Sequence, residues 1–138
     1  MPSYTASATT TGGRNGHVES SDGVLKFNLS VPKDIGGPGK PGTTNPEQLF
    51  AAGYSACFGS AVEFLARQEK LPISGVSVTA EVTLNAGADG FFLAVHLKTK
   101  VDGVDHATAE RLAKQAHEAT CPYSKATRNN IDVKVTVI

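Results

Sequence analysis

Asn45-Pro46-Glu47-Gln48-Leu49-Phe50-Ala51-Ala52-Gly53-Tyr54-Ser55-Ala56-Cys57-Phe58 is the stretch that decides the fold. It opens as a helix should. Asn45 can cap, Pro46 suits the first helical position, and Gln48 sits where a capping box wants it. Glu47 in the first turn suits the helix dipole. The helix should run to about Lys70, with Gly53 a weak point. Through Phe58 it is apolar or small on nearly all sides, so it should be buried in a core or an interface. Charge appears only at its end, from Glu63 to Lys70.

On the N-terminal side, residues 3–10 suit a strand and Gly12-Gly13-Arg14-Asn15-Gly16 a turn. His17–Ser21 and Val24–Val31 read as a strand pair joined by Asp22-Gly23, a strong hairpin signal. Residues 32–45 hold four glycines and three prolines. Such a long ordered loop is uncommon unless functional, and residues 36–42 suit a lid. On the C-terminal side, Val76–Leu84 and Phe91–Val101 alternate as two long strands about an Asn85–Gly90 turn. Asp105–Ala119 reads as an amphipathic helix that Cys121-Pro122-Tyr123-Ser124 stops, and Ile131–Ile138 as a last strand. The order βββ-α-ββ-α-β predicts an α+β fold with a mostly antiparallel, six-stranded sheet around a long buried central helix, in a single domain, 1–138. One sheet and one amphipathic helix cannot cover a helix that is apolar all round. A second copy can, which favours an extensive homodimer.

With 138 residues, 13 Lys+Arg and 13 Asp+Glu, the formal net charge is zero. Nucleic-acid or membrane-surface binding through charge is therefore not expected. No stretch reads as a membrane span, and Met1–Thr5 lacks a secretory pattern. The expected compartment is the cytoplasm, where lasting structural disulfides are rare. His17, His96, His106 and His117 are scattered and form no cysteine–histidine cluster, so no metal site is expected.

Cys57 and Cys121 stand in contrasting settings, one within the buried helix and one at a helix end. That contrast suggests a peroxidatic and a resolving cysteine. Two inert core thiols or one structural disulfide are the alternatives, since free cysteine is among the most buried residue types. A peroxide-reducing cysteine attacks as thiolate, and apolar burial raises its pKa. A cation is then needed. Arg14, in the glycine-rich turn, is the candidate, with Glu47 to orient its guanidinium through a bidentate pair. Arg14 as a solvated loop residue and Glu47 as a helix-dipole partner are the plain alternatives. Leu49, Phe50, Tyr54 and Phe58 are the candidate substrate-binding side chains, suited to an apolar hydroperoxide.

Thr44 through Phe58 closely resembles the organic hydroperoxide resistance (Ohr) proteins of the OsmC-like superfamily. Gly12-Gly13-Arg14, Ser21-Asp22-Gly23, Gly36-Gly37-Pro38-Gly39, and Cys121-Pro122-Tyr123-Ser124-Lys125-Ala126-Thr127-Arg128 with Asn130-Ile131 resemble the same family in the same order. The tandem Thr43-Thr44 departs slightly from its pattern. The resemblance implies an intertwined homodimer with two interfacial sites and a thiol-dependent peroxidase that reduces organic hydroperoxides to alcohols. It implies Cys57 as peroxidatic and Cys121 as resolving cysteine, with Arg14 and Glu47 the activating pair. The cycle would pass through a Cys57 sulfenic acid and a Cys57–Cys121 disulfide. No bound cofactor is implied. The reductant would be a dihydrolipoyl group, often on a lipoylated protein. Rival readings are a non-enzymatic carrier of apolar small molecules, indifferent to cysteine substitution, and a general thiol–disulfide oxidoreductase. The latter should show a CxxC in a thioredoxin-like setting, which the sequence lacks.

Overall fold

The helix begins where its capping residues place it. Helix α1 spans Pro46–Gln68, and the Gln48 N–H donates to Asn45 Oδ1 at 2.8 Å. The Gln48 side chain takes a different partner from the expected one, accepting from the Thr44 hydroxyl at 2.8 Å. Gly53 does not interrupt the helix. Instead it makes room, because a Cβ there would come within 2.8 Å of the Tyr123 hydroxyl.

A computed structural model describes all residues, 1–138. The chain forms two compact units, Met1–Leu49 and Phe50–Ile138. In the first, strands β1 (Ala8–Thr11), β2 (His17–Ser20) and β3 (Lys26–Asn28) make an antiparallel sheet in the order β1-β2-β3. The strands are shorter than the sequence suggests. Residues 3–7 carry no strand, and the Asp22-Gly23 hairpin is wider, with Glu19 facing Lys26 across its last pair. Asp22 builds that turn through its side chain, accepting from Ser20 Oγ at 2.6 Å and from Val24 N–H at 3.0 Å. The long loop closes on itself. Leu29 bridges to Thr44, Ser30 N–H donates to Thr44 O at 3.1 Å, and Gly39 N–H donates to Val31 O at 2.9 Å.

The second unit holds β4 (Gly75–Gly87), β5 (Gly90–Asp102) and β6 (Asp132–Val137), with β4 antiparallel and β6 parallel to β5. The expected single six-stranded sheet is thus replaced by two three-stranded ones, although three of the four strand pairings are antiparallel, as expected. Alternation on β5 sends Val95, Leu97, Thr99 and Val101 inward. Val133 and Val135 of β6 lie opposite Val95 and Leu97. The apolar residues among these join Tyr54, Phe58, Val62, Leu65 and Ala66 of α1 in one core. Each large apolar side chain buried there contributes roughly 1.5–3 kcal/mol.

Between β5 and β6 lies helix α2 (His106–Gln115), capped by Asp105, which accepts from Thr108 N–H at 2.8 Å. The expected helix to Ala119 changes character: residues 116–120 form a π turn that Cys121 N–H closes onto Ala116 O at 2.8 Å. Cys121-Pro122 ends that helix, as expected, and also begins α3 (Pro122–Thr127), because proline fits the first helical position.

One expectation about α1 requires correction. The helix is 23 residues long and holds an 18-residue window of mean hydropathy 1.4, long and apolar enough to cross a membrane, contrary to the reading of the sequence. A core helix has the same property, and here Tyr54, Phe58, Ala61, Val62, Leu65 and Ala66 are buried in protein. The helix is not enclosed all round by its own chain. Ala52, Ala56, Ser60 and Phe64, spaced four apart, form an exposed stripe on the chain as it stands.

Candidate active site

Helix α1 presents Tyr54 and Cys57 three residues apart, so they are neighbours on its surface. Cys57 is half-buried and Cys121 fully buried, and both are free thiols. Their sulfurs lie 3.6 Å apart. A disulfide needs about 2.05 Å, so a modest side-chain rotation separates contact from bond. The fold therefore brings together two residues that the sequence holds far apart. Burial pushes the Cys57 thiol pKa up. The Tyr123 backbone N–H donates to its sulfur and works the other way, and Cys121 adds to the rise. No side-chain cation of the second unit is among these influences.

In the first unit, Arg14 stands in a single 3₁₀ turn, Gly13–Asn15, between β1 and β2. The turn is possible because Gly12 and Gly13 take φ of 84° and 58°. It is tied down on its far side, where Asn15 Oδ1 accepts from Val31 N–H at 2.9 Å and Gly16 O from Leu29 N–H at 2.8 Å. Arg14 then grips Glu47 with both arms, Nη1 to Oε2 at 3.0 Å and Nη2 to Oε1 at 2.7 Å. The Glu47 side chain is only 14% exposed, against 40% for Arg14. The guanidinium holds the Glu47 carboxyl below its usual pKa, and Glu47 raises that of Arg14. Both are charged at neutral pH, in the bidentate geometry that fixes a guanidinium plane.

Gly16 carries this arrangement. A Cβ there would collide with the Thr11 carbonyl oxygen, and backbone cannot yield as a side-chain tip can. Gly16→Ala is expected to cost about 2–4 kcal/mol. It should show as a lower urea midpoint at unchanged m-value.

A family model described as OsmC-like protein matches residues 37–136. An organic hydroperoxide resistance protein of Xanthomonas axonopodis pv. citri is 50% identical over 97% of this chain and 94% of its own. The organic hydroperoxide resistance protein OhrB of Bacillus subtilis is 44% identical, with 98% of both chains covered. Among solved structures, an organic hydroperoxide resistance protein from Legionella pneumophila superposes with a TM-score of 0.92 at 50% identity, covering 99% of this chain and 98% of that one. The chain belongs to the Ohr branch of the OsmC-like family.

Membership in the Ohr branch leaves the expected substrate-binding residues to be judged by their placement. Tyr54 and Phe58 are fully buried and belong to the core, so neither offers a surface to a ligand. Apolarity alone could not separate them from lining residues, because core and pocket draw on the same side chains. Leu49 is half-buried near the helix start. Phe50 does line an open apolar groove of about 890 Å³, with Phe91, Phe92, Leu93, Tyr123 and Ile131. Phe91 and Phe92 come from the β4–β5 hairpin end, which the sequence reading treated only as strand. Two large exposed aromatics beside a turn were the available signal. Tyr123, part of the Cys121-Pro122-Tyr123 motif, has a backbone N–H that lowers the Cys57 pKa and a ring 6.2 Å from that of Phe50.

Proposed function

We propose that this protein is a thiol peroxidase that reduces organic hydroperoxides to alcohols through Cys57. The observation that supports it most is the pair of free thiols at 3.6 Å, one half-exposed and one buried. Cys57 thiolate attacks the terminal oxygen of the hydroperoxide, the O–O bond breaks, and the alcohol leaves as the oxygen it releases takes a proton. Cys121 then attacks the resulting sulfenic acid, water departs, and a Cys57–Cys121 disulfide forms. A dihydrolipoyl group, on a lipoylated protein, returns the dithiol by exchange. The cytoplasm, where thiols are kept reduced, suits that cycle.

Burial and Cys121 both disfavour the Cys57 thiolate. The activating cation is assigned to Arg14, oriented by Glu47, because an arginine stays charged when desolvated and can hold a thiolate and a peroxide oxygen together. The exposed Ala52–Phe64 stripe of α1 suits a second copy of the chain, consistent with an interfacial site in a homodimer.

Anaerobic titration of the reduced protein with an organic hydroperoxide tests the cycle. One equivalent should remove both thiols and lower the intact mass by two hydrogens. Cys121→Ser should take up one oxygen at Cys57 and stop, then overoxidise with excess peroxide. Two thiols that survive a full equivalent would refute the peroxidase reading.

The groove sets the expected preference. A buried methylene contributes about 0.8 kcal/mol, so four are worth about a hundredfold in kcat/KM. Hydrogen peroxide gains none of this and must desolvate two hydroxyl ends. A long-chain hydroperoxide should therefore exceed hydrogen peroxide by at least that factor with a dihydrolipoyl reductant, and equal values would overturn the apolar-groove assignment.

A further inference from the structure

Behind the cysteine pair lies a buried polar chain that the proposed chemistry does not use. The Tyr54 hydroxyl is 2.8 Å from Ser124 Oγ and 3.0 Å from Thr127 Oγ1. Ser124 Oγ is also 2.7 Å from His117 Nδ1. Tyr54 and Ser124 are fully buried and Thr127 is 5% exposed. Hydroxyls enclosed this far from water are costly to leave unpaired, so the chain resists rearrangement more than exposed contacts would.

The attachment points give the chain its meaning. Tyr54 stands one helical turn before Cys57 on α1. His117 lies in the π turn that ends at Cys121, and Ser124 lies in the helix that Cys121 begins. Cys121 is thus bracketed, four residues before and three after, by two side chains that meet at one oxygen. The segment is further fixed where Lys125 N–H donates to Cys121 O at 3.0 Å and Arg128 Nη2 to His117 O at 2.9 Å. Through Tyr54 the whole bracket is referred to the helix that carries Cys57.

We propose that His117, Ser124 and Tyr54 are positioning residues that hold the Cys121 thiol on Cys57 and so decide whether an oxidised Cys57 closes to the disulfide or is oxidised further. The inference rests on the peroxidase reading given above. Two reactions compete at the Cys57 sulfenic acid. In closure, the Cys121 sulfur forms the S–S bond, the S–O bond breaks, and water leaves. Cys121 is oxidised as Cys57 is partly reduced. In overoxidation, the sulfenate takes a second oxygen from another hydroperoxide, whose O–O bond breaks to give an alcohol and a sulfinic acid. Closure needs a sulfur already in place, whereas overoxidation needs only an accessible one. Loosening the bracket lowers the first without helping the second.

The measurement is the ratio of the disulfide-closure rate to the overoxidation rate, read by rapid quench and intact mass with an organic hydroperoxide. Ser124→Ala should lower it about tenfold, and His117→Ala should lower it in the same direction. His117→Asn places an amide near the position of Nδ1 and should restore most of the loss. A merely structural role would lower the melting temperature and leave the ratio alone. If Ser124→Ala does not fold, the His117 pair decides. Closure is also read with diamide, which adds to the Cys57 thiolate. Cys121 then displaces the adduct as a hydrazine, leaving the disulfide. Slow diamide closure in the variants, with wild-type protein inert to hydroperoxide, would refute the peroxidase reading and leave only the positioning of Cys121 on Cys57 standing. Unchanged closure in folded Ser124→Ala and His117→Ala, by both oxidants, would overturn it.

Discussion

Cys57→Ser is expected to remove hydroperoxide reduction altogether, a loss of at least about a thousandfold in kcat/KM. The reaction requires a polarisable anion at that atom. A serine hydroxyl is not ionised at neutral pH, and the apolar setting that raises the thiol pKa would hold an alkoxide still further from reach. The substitution replaces one small half-buried atom, so the fold should persist and unchanged circular dichroism should accompany the lost activity. The measurement is consumption of an organic hydroperoxide coupled to a dihydrolipoyl reductant. Substantial turnover in the variant would move the nucleophile elsewhere. A carrier of apolar molecules predicts the opposite, with function untouched by either cysteine substitution.

How much of this was legible in the residues differs from element to element. The Asn45-Pro46 start of α1, the alternation of Val76–Leu84 and a helix opening at about Asp105 are local signals, and the structure realises each of them. What the sequence reading missed depends on partners distant along the chain. The parallel pairing of β6 with β5 follows from the path through α2, the π turn and α3, which no strand pattern encodes. The division into two sheets is likewise a matter of pairing, not of propensity. For the candidate site, the Arg14–Glu47 pair could be proposed because a buried thiolate needs a cation and a guanidinium pairs with a carboxylate through two hydrogen bonds. The place of Tyr54 is not legible in that way. A tyrosine amid small residues reads as pocket lining, but its hydroxyl has three-dimensional partners, Ser124 and Thr127, more than sixty positions away.

Arg14→Ala is expected to slow Cys57 oxidation by about two to three orders of magnitude with little effect on folding. In the second unit, burial and the neighbouring thiol push the Cys57 pKa up and only the Tyr123 N–H opposes them. If Arg14 supplies the missing positive charge, deleting it stabilises the protonated thiol, and the apparent pKa rises. The rate at neutral pH falls, and the pH–rate profile moves to higher pH, since more alkali is then needed to form the thiolate. The guanidinium would also bind the peroxide oxygen as charge develops, so activity should stay reduced even where the thiol is fully ionised. Glu47→Gln should act more weakly in the same direction. It leaves the cation but loses a carboxylate held below its usual pKa by two short hydrogen bonds. Arg14→Lys should recover charge without the bidentate fork, and so restore the pKa better than the rate. The measurement is thiolate absorbance against pH, beside single-turnover oxidation rates, for the three variants. An unchanged Cys57 titration and an unchanged rate in Arg14→Ala would leave the ion pair a structural clasp of the first unit and send the search for the activating cation to another group.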